Sequence, residues 1–79
     1  MLVVLADETL VDGLMQAGPW FVLTYSPAED ARTPQDFEAS YTLDMGEAMT
    51  IEAESAAELI ASAHRARFPG ENWRVLPLP

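Results

Sequence analysis

Leu2, Val3, Val4 and Leu5 form a run of aliphatic and β-branched residues that predicts a short buried strand. Asp7 and Glu8 follow, and Leu10, Val11, Leu14 and Met15 recur at helical spacing, which predicts a helix capped by Asp7. Gly13 weakens that helix, and Gly18-Pro19 ends it. Trp20 to Tyr25 is apolar and β-prone, the pattern of a central strand covered on both faces. Ser26 to Asp36, with Pro27, Pro34, Glu29, Asp30 and Arg32, reads as a long loop.

Alternation resumes at Phe37. Phe37, Ala39, Tyr41 and Leu43 share one face; Glu38, Ser40 and Thr42 share the other. Asp44 to Glu47 reads as a turn, and Met49, Ile51 and Ala53 then alternate against Thr50, Glu52 and Glu54. The two runs predict a hairpin with one core face and one acidic, hydroxylated face. Ser55-Ala56-Ala57-Glu58 matches a capping box and opens a helix running to about Arg67. Its inward stripe is expected at Ala56, Leu59, Ile60, Ala63 and Ala66 or Arg67. Pro69-Gly70 stops it, and Trp73 to Leu76 gives a last short strand.

The predicted fold is therefore α+β: a small, mostly antiparallel β-sheet of four to five strands with one or two helices packed on one face. At 79 residues the chain fits one domain, residues 1–79, with a modest core. The apolar start, Met1 to Ala6, is too short for a signal peptide, and no apolar run approaches a membrane span. The expected setting is the cytoplasm, a bacterial host's if the gene is a phage's. Four arginines with no lysine fit a GC-rich bacterial or phage gene.

Charge narrows the function. Thirteen acidic residues against four arginines give a formal net charge of -9. That argues against direct nucleic-acid binding, which needs cations for phosphate contacts, and for steering toward basic partners. With no cysteine, thiolate metal sites and cysteine nucleophiles are excluded. His64, the single histidine, has no orienting partner at helical spacing and reads as a partly exposed helix residue. The pairs Asp7/Glu8, Glu29/Asp30 and Glu52/Glu54 lack the cleft that paired-carboxylate catalysis requires. No enzyme, metal or cofactor signature is present. The candidate binding residues are the carboxylates Glu38, Glu47, Glu52 and Glu54 of the predicted hairpin, with Glu29 and Asp30 on the loop. Glu52 and Glu54 fall about 6.6–6.8 Å apart along one strand face. Arg65, Arg67 and Arg74 gather near the end of the chain and serve either a partner or the neighbouring acids.

The stretch Thr50-Ile51-Glu52-Ala53-Glu54-Ser55, leading into Ala56-Ala57-Glu58-Leu59-Ile60-Ala61 and closing on Phe68-Pro69-Gly70-Glu71-Asn72-Trp73-Arg74-Val75, resembles a module of small phage proteins. Among these it is similar to anti-CRISPR proteins, the phage-encoded inhibitors of bacterial CRISPR defence. The resemblance implies an interaction protein that binds the type I surveillance complex, Cascade, or its recruited nuclease. The expected target is Cascade, subtype C first, with the acidic face occupying a basic channel and blocking target DNA binding. The alternative is a small acidic phage or immunity-type protein that neutralises a different basic partner. A dimeric structural module is a further possibility, and the expected state is a monomer or a weak homodimer.

Overall fold

The computed structural model describes residues 1–78. Strand β1 (Leu2–Val11) turns at Asp12-Gly13 into β2 (Leu14–Pro27). A loop leads to β3 (Phe37–Thr42), then to a short 3₁₀ turn (Met45–Glu47). Helix α1 (Glu54–Arg67) and strand β4 (Arg74–Pro77) complete the chain. The four strands make one sheet in the order β3-β2-β1-β4, antiparallel at every pairing. The expected α+β class holds, with four strands and one helix layer. The molecule is accordingly a flat slab of 35 × 31 × 19 Å.

Alternation along β1 splits the core in two. Val4 and Ala6 face α1 with Val22, and meet Ala57, Ile60, Ala61 and Trp73. Val3 and Leu5 face the opposite way with Phe21, beneath Ala48 and Leu78. This two-sided burial is why β1 and β2 are central and nearly continuous in apolar residues.

The expected first helix is absent. Val11 pairs with Leu14 and Leu10 with Met15 across a two-residue turn. Asp12 (φ 50°) and Gly13 (φ 82°) both occupy the left-handed region, the geometry of a type I′ hairpin. Asp7, expected as a helix cap, sits in β1 where the register shifts between Ala6 and Glu8. There its main-chain N–H donates to Asn72 Oδ1 (2.9 Å), and its carboxylate accepts from Asn72 Nδ2 (2.7 Å) and Arg74 Nη2 (2.9 Å). These bonds draw its pKa below the usual carboxylate value, Arg74 contributing most.

The expected second hairpin is absent as well. β3 pairs only with β2 and ends at Thr42. Asp44 caps the 3₁₀ turn by accepting from the Gly46 N–H (2.8 Å). The following segment turns away to the first strands: Met49 N–H donates to the Val22 carbonyl (2.9 Å), and Ile51 exchanges two 2.8 Å bonds with Leu2. Helix α1 begins one residue before the expected capping serine. Its N-cap is Ala53, with no side-chain cap bond, and Glu54 sits in the first turn where a carboxylate complements the helix dipole.

The inward stripe of α1 is also rotated from expectation. Ala57, Ile60, Ala61, Ala63 and His64 are buried, whereas Leu59 is 61% exposed. His64 is fully buried and ringed by Tyr25, Phe37, Tyr41, Phe68 and Trp73. Its Nδ1–H donates to the Ile60 carbonyl (2.8 Å), which leaves Nε2 to accept from the Tyr41 hydroxyl (3.0 Å).

Candidate partner-binding surface

The arginines show which charges the fold keeps for itself. Arg65 bridges Glu58 and donates to the Trp73 carbonyl (2.9 Å). Arg67 lies over the Phe37 ring (4.7 Å to its centroid) and donates to the Phe37 carbonyl (2.7 Å). Arg74 holds Asp7. Three of the four cations thus tie α1, β3, β4 and β1 together, two through ion pairs and Arg67 through the Phe37 carbonyl and ring, and only the Arg32 side chain, on the loop, has neither an ion pair nor a hydrogen bond among the described residues.

Six carboxylates are engaged in the same way. Asp7 and Glu58 meet arginines. Glu71 accepts from Thr9 (2.7 Å) and from the Trp73 indole (3.0 Å). Asp36 accepts the main-chain N–H groups of Arg32 and Thr33, which lower its pKa. Asp44 caps its turn, and Glu47 receives a long bond from Thr42 (3.4 Å). The other seven, Glu8, Asp12, Glu29, Asp30, Glu38, Glu52 and Glu54, are exposed and have no side-chain partner among the described residues.

Five of the six carboxylates expected from sequence are in that free set; Glu47 is the sixth. They do not share one strand face. Asp30 and Glu38 line a depression of about 720 Å³ beside the loop, with Arg32 and Arg67 on the same wall. Glu29 precedes Asp30 on that loop. Glu54 opens α1 and lines a second depression with Glu58, Arg65 and Arg74. Glu52 lies two residues earlier, outside any strand. The surface is therefore two acidic clusters, one on the β2–β3 loop and β3, the other at the start of α1. The ridge of regular spacing expected from a hairpin is not formed, because Thr50 to Ala53 does not pair with β3.

Two features were missed in the sequence. Glu8 and Asp12 are free acids on the β1–β2 hairpin, a position hidden while that segment was read as a helix. A groove of about 490 Å³ also runs between the loop and α1, walled by Tyr25, Pro27, Pro34, Leu59, Ala63 and Ala66 among others. His64 is sealed inside the aromatic core and cannot reach a solute. No helix of the described residues is long and apolar enough to cross a membrane. No protein-family model, curated protein or solved structure matches the chain.

Proposed function

We propose that this protein is an interaction module that binds a basic, nucleic-acid-binding protein surface and competes there with nucleic acid. One observation carries the reading: the fold consumes three of its four arginines internally while leaving seven carboxylates unpaired at the surface. A surface with so large an excess of one sign draws a basic partner from a distance and sets the orientation of encounter. In its specific form the reading is an anti-CRISPR protein that occupies a basic channel of type I Cascade, subtype C first, and excludes target DNA. The resemblance of residues 50–75 supports a type I surveillance complex as the class of partner. The same charges serve an immunity-type protein against another basic target.

The test is co-elution with purified type I Cascade, followed by target-DNA binding of the mixture. Charge reversal is applied cluster by cluster, Glu52→Lys with Glu54→Lys, then Asp30→Lys with Glu38→Lys. Co-elution with lost DNA binding, weakened at least about tenfold by one of the pairs, is the expected result, equal to about 1.4 kcal/mol. Binding untouched by both reversals at physiological salt rejects the acidic-surface reading. Absence of co-elution rejects Cascade and returns the question to other basic partners.

A further inference from the structure

The β1–β2 hairpin runs past the rest of the sheet. β4 pairs with β1 only through Leu5, and β3 pairs with β2 only from Phe21 onward. Beyond these points the side of β1 is partly covered, since Asn72 bonds Asp7 and Glu71 bonds Thr9. The outer edge of β2 from Leu14 to Trp20 has no strand beside it among the described residues. A two-stranded ribbon is marginal on its own, and a third strand is what normally secures one.

This edge is also apolar and uncharged. Leu14 is 66% exposed, Met15 48% and, across the turn, Leu10 53%. From Gly13 to Ala28 the chain carries no charged residue, in a molecule of net charge -9. Exposed strand edges are usually guarded by lysine or other charges, and none guards this one. The nearest charges, Glu8 and Asp12, belong to β1 and the turn and not to this strand. The chemistry that matches an uncharged antiparallel edge is the same edge of a second copy, related by a two-fold axis. Like-charged molecules also approach each other at less cost along a strand that itself carries no charge.

The geometry permits it. Val11 and Leu14 close the turn as a hydrogen-bonded pair, so alternation turns the main-chain groups of Met15 and Ala17 outward. The edge offered for pairing, Leu14–Ala17, is about 13 Å long at the usual rise, and Pro19, which has no N–H to donate, sets its far limit.

We infer that the Leu14–Ala17 edge of β2 pairs antiparallel with its counterpart in a second copy of this chain, extending the sheet across a two-fold dimer. The inference is independent of the acidic-surface reading. Sedimentation equilibrium of the full chain tests it. The mass should climb from 8.7 kDa toward twice that value as concentration rises. The climb should be steeper at about 1 M NaCl, where charge repulsion is screened.

Met15→Glu and Ala17→Asp each place a carboxylate on the edge and should raise the dissociation constant at least about tenfold. Circular dichroism checks that both variants keep their strands. Leu59→Glu, on the exposed face of α1, should leave association unchanged. A mass of 8.7 kDa at every concentration up to about 1 mM overturns the inference. So does a dimer that persists in both folded edge variants, or one abolished by Leu59→Glu alone.

Discussion

His64 shows how a polar residue becomes a core residue. Leu59 is the more apolar of the two, yet it faces water while His64 is buried. The difference is made by what surrounds the ring: five aromatic side chains pack on it, and both ring nitrogens have hydrogen-bond partners. A buried polar group is tolerated on that condition. Tyr41→Phe leaves Nε2 without its donor and should cost about 1–2 kcal/mol in urea denaturation. The same burial pushes the Tyr41 phenol up to about 12 and holds the imidazole below its ordinary pKa. For His64 the largest cause is burial, with Arg67 adding to it and the Ile60 carbonyl and Glu71 opposing. The unfolded chain therefore takes up a proton near pH 6.5 that the folded chain resists. The His64 contribution is complete above about pH 6.5 and declines as pH falls toward the depressed folded value. The double variant His64→Phe/Tyr41→Phe replaces both partners by apolar rings and should flatten that part of the stability profile. A wild-type profile already flat between about pH 7 and 5 contradicts the assignment.

At the scale of elements, glycines mark the β1–β2 hairpin. Gly13 has φ +82° with open space around it, so a side chain there meets backbone strain alone. Gly13→Ala should cost about 1–2 kcal/mol, and Gly13→Asn less, since asparagine accepts the left-handed region. A Cβ at Gly18 would collide with the Trp20 main-chain nitrogen and the Asp7 carbonyl. Gly18→Ala should therefore be the more destabilising of the two alanine variants, and the two urea midpoints compared side by side decide it. The β1–β2 hairpin also shows why part of the fold was legible and part was not. Leu10, Val11, Leu14 and Met15 satisfy helical spacing and, equally, the pairs flanking a two-residue turn. Asp12-Gly13 between them is the signal that separates the two, a turn dipeptide that disfavours helix. The inner halves of the central strands, around Leu2–Leu5 and Trp20–Tyr25, and also α1 and β4 were readable because each is a single apolar or amphipathic run; the outer halves of β1 and β2 were not. The second hairpin was not, because alternation gives a strand its faces and leaves its neighbour undetermined. Ile51 found Leu2, 49 residues away in sequence, and with that choice Glu52 and Glu54 left the sheet. The free carboxylates were thus identifiable by residue type, and their grouping into two clusters was not.

On the scale of the whole molecule, ionic strength acts on three equilibria with different signs. A net charge of -9 on 79 residues makes the compact state repel itself. The two ion pairs that oppose this, Arg65–Glu58 and Arg74–Asp7, are both substantially exposed and contribute little that salt can remove. Raising salt shortens the Debye length from about 8 Å at 0.15 M to about 3 Å at 1 M. The fold should then gain stability, with Tm rising by about 4–8 °C for each 1 kcal/mol of repulsion relieved. Edge pairing should tighten for the same reason, since it joins two anions through their uncharged strands. Capture of a basic partner should weaken, since there the charges attract. A Tm that falls with salt would mean that the internal ion pairs outweigh the repulsion. In that case the arginines, and not the surplus of acids, would govern how this molecule responds to its surroundings.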